Sequence, residues 1–239
     1  MFKHDKQLLK DVWVDAPNPN YANIIQEQLG GAAGELRAAL QYLSQSFRIK
    51  DPKIKDLFLD IAAEELGHME MVGTLVNLLN GHMLQAMQTT AGTIEASVFS
   101  GLTPMLTNAS GYPFNAAYID ETGDLAADLL SNIAGEQRAK VVYQYLYRQI
   151  PDNGVREAID FLLNREEAHN NLFREAFNML EETGSLKDWG VTSDSQQYFD
   201  LSTPGQYFGT GNLTNPKPPK FNVPNGPEPK QKHFTEFTQ

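Results

Sequence analysis

Two sets of glutamate and histidine residues recur along this chain at the same spacing. The first copy contains GELRAALQY from Gly34, the second contains GEQRAKVVY from Gly135, and the offset of 101 residues then continues without a gap. The repeated acids and imidazoles are Glu35, Glu65 and His68 in the first copy and Glu136, Glu166 and His169 in the second. A repeat of this length indicates two helical hairpins related by a pseudo-two-fold axis.

Each copy contains the motif Glu-x-x-His, whose two side chains lie on one face of a helix and can bind one ion. Two helices that contribute one Glu each, with two that contribute Glu-x-x-His, form the dinuclear carboxylate site of four-helix bundles. Carboxylates that face one another in an apolar core repel unless protons or cations neutralise them. A single such motif is usually a solvated pair, but two copies in one register predict a site for two divalent metal ions.

Other residues near these positions have alternative interpretations. Tyr42 and Tyr143 each follow a repeated Glu by seven residues, so they either hydrogen-bond a carboxylate or serve as core tyrosines. Glu64 and Glu167 also lie near a histidine, although the repeat register favours the adjacent glutamates. The prediction of the site therefore rests on the six repeated residues.

The composition restricts the chemistry further. The chain has 239 residues, with 30 acidic and 19 basic side chains, a net charge of -11, five His and no Cys. Without Cys there are no disulfides, thiolate metal sites or cysteine nucleophiles, so a metal must bind to His and carboxylates. The acidic excess argues against nucleic acid and anionic membranes as partners. The N-terminal segment is charged and no stretch of about 18 apolar residues occurs, so we expect a cytoplasmic protein without a membrane span.

Four long helices must position these side chains. Apolar residues recur at helical spacing over residues 19–47, 52–81, 120 or 122 to 150, and 152–183. The stretch 82–118 is too long for a simple connection and predicts a long crossover loop. We predict an all-α four-helix bundle over residues 1–190. An extended Pro/Gly-rich C-terminal tail over residues 191–239 would pack on the bundle or on a neighbouring subunit.

Imidazole and carboxylate ligands suit Mn or Fe in a redox reaction, or a hydrolytic metal pair, and their spacing does not choose between these. The choice comes from a resemblance to the non-haem manganese catalases. Five segments resemble that family in order: MFKH, QEQLGGAAGEL, DLFLDIAAEELGHMEMV, SGYPFNAAYI and FLLNREEAHNNLF. The resemblance implies a ferritin-like bundle with two Mn ions per subunit, usually a homo-hexamer, that converts hydrogen peroxide to water and dioxygen.

The same resemblance implies a role for each repeated residue. One Mn ion would bind to Glu35, Glu65 and His68. The other would bind to Glu136 and His169, and Glu65 would bridge both ions. Glu166 would be a nearby base that moves protons during a two-electron ping-pong cycle. Tyr42 would hydrogen-bond Glu35.

One position departs from the family pattern. Some members have Arg immediately before the third-helix glutamate, where it pairs with the base, whereas this chain has Gly135. The missing side chain predicts a wider or wetter approach to the metals. Arg37 and Arg138 point away from this site and are expected to form structural ion pairs.

A calcium site is a further prediction, because some family members bind calcium at the matching positions. The candidate ligands are Asp56, Asp60, Asp200 and Ser202. A solvated acidic face is the alternative interpretation of the first two.

Two other functions are compatible with this sequence. A di-iron ferritin-like oxidase or iron-storage protein would use the same ligand set, and metal analysis with peroxide-dependent oxygen evolution separates it from a catalase. A spore-coat-type structural protein is the second alternative, and the intact ligand set argues against a purely structural role.

Overall fold

The computed structural model describes residues 7–81 and 106–182, and all regular elements in these ranges are helical. They are α1 (Pro19–Gly30), α2 (Glu35–Ser46), α3 (Pro52–Leu79), a short 3-10 helix (Ala116–Tyr118), α4 (Leu125–Gln149) and α5 (Asn153–Glu182). Helices α1 and α2 pack on α3, and α4 packs on α5, so each half of the repeat forms one hairpin. The predicted all-α bundle is confirmed.

Other predicted features fall mostly beyond these ranges. Most of the crossover loop, and the C-terminal tail with the boundary at residue 190, lie outside the described residues. The division into bundle and tail therefore stays a prediction. None of the described helices combines the length and the apolar character needed to cross a membrane.

Side chains cap the start of four helices, whereas α2 has no such cap. Helix α4 begins at Leu125, later than the predicted start at residue 120 or 122. The Asn18 side chain accepts hydrogen bonds from two backbone N–H groups at the start of α1, and Asp51 does the same for α3. Asp124 accepts from the Ala127 N–H at the start of α4. The N–H of Val155 donates to Asp152 over 3.0 Å at the start of α5. Each acceptor satisfies N–H groups that have no partner inside the helix.

The predicted first helix over residues 19–47 is wrong in one respect, because the structure breaks it between α1 and α2. Gly31 and Gly34 have extended backbone angles, with ψ of 170° at both. Glycine has low helix propensity, which favours a break in the GGAAG segment. A Cβ atom on Gly30 would lie 2.5 Å from the backbone N and O atoms of Thr107, so a crossing segment also approaches the end of α1. The break makes Glu35 the first residue of α2.

Two apolar clusters fill the bundle on either side of a polar layer. The first cluster includes Leu75 and Ile159, and the second includes Phe58 and Phe173. In α3, α4 and α5, one end of the helix contributes to one cluster and the other end to the second. The repeated glutamates and histidines of these three helices lie at the intervening positions, so apolar packing encloses them from both ends.

The close approach at Gly30 predicts a large effect of a small substitution. Gly30→Ala places a methyl group against the Thr107 backbone, which cannot move as a side chain can, and should destabilise the fold by about 2 kcal/mol. Urea unfolding measures the change. Gly67→Ala is the matched control, because its Cβ would meet only the end of the exposed Leu9 side chain and helix propensity improves. Equal stabilities for the two variants would contradict the prediction.

Candidate metal centre

The bundle brings all six repeated residues together in its interior. None of them exposes more than 2% of its surface. Charged and imidazole side chains are rarely buried to this extent without partners or a metal. The structure therefore buries all six predicted residues, which are Glu35, Glu65, His68, Glu136, Glu166 and His169.

Glu65 lies between the two histidines. Its Oε2 atom is 3.0 Å from Nδ1 of His68, and its Oε1 atom is 2.7 Å from Nδ1 of His169. The two imidazole rings stack, with ring centroids 5.5 Å apart. Each Glu65 oxygen thus faces the donor nitrogen of one half of the repeat.

Two further glutamates approach His68. Its Nδ1 atom lies 3.5 Å from Oε1 of Glu166 and 3.7 Å from Oε2 of Glu35. Glu65, His68, Glu166 and His169 each place one donor atom within 4.8 Å of the donor atoms of the other three. Among the described residues, this is the one group of three or more such side chains that could hold a metal ion. Glu166, which is predicted as a base rather than a ligand, thus belongs to this group, whereas the predicted ligands Glu35 and Glu136 do not.

The two tyrosines hydrogen-bond glutamates in a crossed arrangement. Tyr42 donates to Glu136, and Tyr143 donates to Glu35. The predicted bond from Tyr42 to Glu35 is wrong, because seven residues of helix separate the two by about 10 Å along the axis. Helices α2 and α4 instead run antiparallel, so that each tyrosine faces the glutamate of the other copy. Both tyrosines are fully buried, and their hydroxyls hold two of the predicted ligands in place.

Burial and mutual repulsion oppose the ionisation of three of these acids. Burial, together with the charge of Glu65, raises the pKa of Glu35 to about 8. Burial and the charges of Glu65 and Glu35 raise the pKa of Glu166 to about 7. Burial and the neighbouring Glu166 raise the pKa of Glu136 well above its usual range. In the absence of a cation, protons must therefore neutralise most of this cluster at neutral pH.

The pKa of Glu65 moves in the opposite direction. Burial disfavours its charge, but His169 and His68 outweigh burial and hold the pKa of Glu65 below its usual range. Burial likewise disfavours charged imidazoles, but the Glu65 carboxylate outweighs it and raises the pKa of both histidines. Among the four repeated glutamates, Glu65 is thus the one that stays charged.

These residues fit a pair of bound cations. Several buried donor atoms have no hydrogen bond of good geometry, namely Glu65 Oε1, His68 Nε2, Glu136 Oε2, Glu166 Oε1, and Nδ1 and Nε2 of His169. Buried polar atoms without a partner are rare and call for an explanation such as an ion. Oxygen and imidazole donors without thiolate suit manganese or iron. Cations would also replace the protons that burial forces onto the carboxylates.

Glu64 and Arg165 form an ion pair beside this cluster that the sequence interpretation missed. Nε of Arg165 donates to Oε1 of Glu64 over 2.5 Å, and Nη2 donates to Oε2 over 3.3 Å. The signal was available in the repeat, because 101 residues separate the two and they occupy equivalent positions. When the two copies carry opposite charges at equivalent positions, the two side chains can form an ion pair across the pseudo-two-fold axis.

The space beside Gly135 is filled by a side chain from α2, and the wider or wetter approach to the metals stays a prediction. A Cβ atom on Gly135 would lie 2.5 Å from Nη1 of Arg37, a residue of α2 that is only 3% exposed. Arg37 also donates to the Tyr118 carbonyl and to Asp120, each over 3.2 Å. The predicted structural ion pair of Arg37 is confirmed, and its guanidinium lies next to the residue that precedes Glu136.

The remaining predicted site residues lie apart from the cluster. Glu167 pairs with Lys140. Asp56 and Asp60 are exposed on α3, and the candidate metal group does not include them. Asp200 and Ser202, the other proposed calcium ligands, lie outside the described residues.

Comparisons with known proteins identify relatives of this bundle. The family model described as manganese containing catalase matches residues 1–203. A probable manganese catalase of Clostridium acetobutylicum is 63% identical over 218 residues, which cover 90% of this chain and 97% of that protein. Protein CotJC of Bacillus subtilis is 39% identical and covers 78% of this chain and 98% of its own length. The crystal structure of KatB, a manganese catalase from Anabaena, has a TM-score of 0.70 at 37% identity, covering 81% of this chain and 85% of that chain.

The raised pKa values predict how the metal-free protein responds to pH. Glu35 and Glu166 shift from 4.5 to about 8 and about 7, so their contribution to stability is complete below 4.5 and is lost as pH rises through these values. The lowered pKa of Glu65 affects stability only in acid. We expect the melting temperature of the metal-free protein to fall by about 5 °C or more between pH 5 and pH 8. The double variant Glu35→Gln, Glu166→Gln should show a smaller fall, and a rise in the wild type would contradict the assignment.

The contact between Gly135 and Arg37 predicts a sign change in a double-mutant cycle. Gly135→Ala should destabilise the protein by about 1 kcal/mol, because the new methyl group displaces the buried guanidinium. In an Arg37→Ala background the same change should stabilise by up to about 1 kcal/mol through helix propensity. Urea unfolding of the four proteins gives the coupling energy. Additive effects would show that Arg37 does not fill this space.

Proposed function

Because the chain belongs to the manganese-containing catalase family, we propose that its buried carboxylates and imidazoles hold two manganese ions in each subunit. The chain is a manganese catalase, and its substrate is hydrogen peroxide, which it converts to water and dioxygen. The proposal of a metal pair rests above all on Glu65, whose two oxygens each face Nδ1 of one histidine. A carboxylate in that position can bridge two cations.

The ligands divide between the two copies of the repeat. Glu35 and His68 would bind one ion, Glu136 and His169 the other, and Glu65 would bridge both. The 3.7 Å approach of Glu35 to His68 supports the first grouping. The burial of all five donors supports a site that binds dehydrated ions.

Glu166 is proposed as the group that stores a proton during turnover. Oxidation of one hydrogen peroxide to dioxygen releases two protons, and reduction of a second to water consumes two. In the metal-free protein, burial and the charges of Glu65 and Glu35 raise the pKa of Glu166 to about 7. A carboxyl that lies beside the ions without binding them can take up and release a proton. Its Oε1 atom has no hydrogen bond of good geometry and is 3.5 Å from Nδ1 of His68, so it can meet a substrate proton near the ions.

The other residues of the site hold its geometry. When bound, the manganese pair supplies the two-electron exchange with peroxide. Tyr42 and Tyr143 keep Glu136 and Glu35 oriented through their hydroxyls. The apolar clusters on either side limit the access of bulk water to the polar layer.

Several finer properties remain proposals drawn from the family resemblance. These are a homo-hexameric assembly, a cytoplasmic location, and a C-terminal tail that packs on the bundle or on a neighbouring subunit. The exposed Asp56 and Asp60 lie four residues apart on one face of α3, which suits a pair of oxygen ligands for calcium. That calcium site would need further ligands from elsewhere, such as Asp200 and Ser202.

Replacing Glu166 tests its proposed role directly. Glu166→Gln keeps the size of the side chain but removes the proton store, so kcat for dioxygen evolution from hydrogen peroxide should fall roughly 100- to 10,000-fold. Manganese content, measured by atomic emission, should remain at two ions per subunit. Glu167→Gln is the matched control, because this neighbour pairs with Lys140 outside the cluster and its loss should leave kcat within about two-fold.

Two outcomes would count against the proposal. Loss of one metal ion in Glu166→Gln would make this residue a ligand, which is the arrangement expected of a di-iron protein with symmetric ligands. A wild-type protein that prefers iron when both metals are supplied, and releases no dioxygen from peroxide, would contradict the catalase function itself.

A further inference from the structure

Glu64 lies outside the candidate ligand cluster, yet it faces both histidines. Its Oε1 atom is 3.5 Å from Nε2 of His68, and its Oε2 atom is 3.3 Å from Nε2 of His169. The Nδ1 atoms of the same rings face Glu65 on the other side. The two imidazoles are thus enclosed between one carboxylate at their inner nitrogens and another at their outer nitrogens.

Arg165 holds the outer carboxylate in place. It reaches both Glu64 oxygens in the two-pronged geometry that a guanidinium offers to a carboxylate, at 2.5 and 3.3 Å. The two side chains are partly buried, with 26% of Glu64 and 33% of Arg165 exposed. A partly buried pair of this geometry is more ordered than an exposed ion pair between two mobile side chains.

The repeat explains why one carboxylate can serve both histidines. Glu64 and Arg165 are equivalent positions in the two copies, 101 residues apart, and they meet where α3 and α5 face each other. Two glutamates here would repel, and two arginines would leave both imidazoles without an acceptor. The difference between the copies at this position produces a neutral ion pair. The two oxygens of its glutamate, Glu64, each face one of the two equivalent histidine rings.

An imidazole that gives Nδ1 to a metal carries its proton on Nε2, and that N–H group needs an acceptor. In the described part of the chain neither Nε2 atom makes a hydrogen bond of good geometry, and each is within 3.5 Å of a Glu64 oxygen. Small rotations of the rings, of the kind that metal binding produces, would convert both contacts into hydrogen bonds.

We propose that Glu64 and Arg165 form a positioning pair, in which one clamped carboxylate accepts the Nε2–H of both histidines and presents both Nδ1 atoms to the metal ions. The pair couples the two half-sites, because a single side chain orients a ligand of each ion. This inference rests on the proposed roles of His68 and His169 as ligands, and it does not depend on the redox reaction.

The substitution Glu64→Gln tests the proposal by replacing one acceptor with a donor. The amide of Gln offers one carbonyl oxygen, so it can accept from one Nε2–H and must oppose the other with its NH2 group. Titration of the metal-free protein with Mn(II), followed by the paramagnetic resonance of free Mn(II), should show one ion bound roughly 10- to 100-fold more weakly than in the wild type. Glu70→Gln is the control, since it removes the same charge from an exposed position of α3 and should bind both ions as the wild type does.

A second variant and a second measurement keep the test decisive if the Glu64→Gln protein fails to fold. Arg165→Lys keeps the positive charge but loses the two-pronged contact, so it should weaken Mn(II) binding by roughly 3- to 10-fold. Histidine side-chain nitrogen NMR of the zinc-loaded wild type should show both rings protonated at Nε2. Glu64→Gln should perturb the nitrogen resonances of at least one of the two rings.

The outcomes separate this inference from the proposed function. Two ions bound by Glu64→Gln with wild-type affinity, or zinc-loaded rings protonated at Nδ1, would overturn the positioning pair and leave the metal centre intact. A wild-type protein that fails to bind two Mn(II) ions would contradict the proposed function first.

Discussion

Negative charge enclosed between two apolar clusters is the constraint on which this bundle depends. Glu35, Glu136 and Glu166 each have a raised pKa because burial and their acidic neighbours oppose ionisation, whereas Glu65 stays charged between two imidazoles. Protons can relieve this repulsion when no cation is bound, and manganese ions can relieve it in the active protein. The same residues therefore destabilise the metal-free protein through their repulsion and provide the affinity for the metal ions.

The pseudo-two-fold repeat supplies nearly equal ligands from each half, and small departures from symmetry give them different uses. Tyr42 and Tyr143 preserve the symmetry, because each donates to the glutamate of the other copy. Glu64 and Arg165 break it, since opposite charges at equivalent positions form one ion pair near both histidines. A duplicated hairpin can in this way keep a symmetric scaffold while only one copy provides the proposed base.

Arg37 links the centre to the segment that leads into α4. Its guanidinium occupies the space beside Gly135 and donates hydrogen bonds to the Tyr118 carbonyl and to Asp120. Neighbouring amides extend this polar layer, because Gln41 donates to Asn132 over 2.7 Å and Asn132 donates to Gln45 over 2.8 Å. The guanidinium of Arg37 thus lies near Glu136, although the chain lacks an arginine at position 135.

The sequence alone determined the helical class, the duplicated hairpin and the six residues of the centre, because helical periodicity and motif spacing act along one chain segment. It also indicated the family from ordered motifs such as EELGHME. Only the tertiary structure decided that Tyr42 contacts Glu136, that the first helix breaks before Glu35, and that Arg37 fills the space at Gly135. These features depend on how antiparallel helices align across the bundle and on where a distant loop crosses α1, and local spacing contains neither.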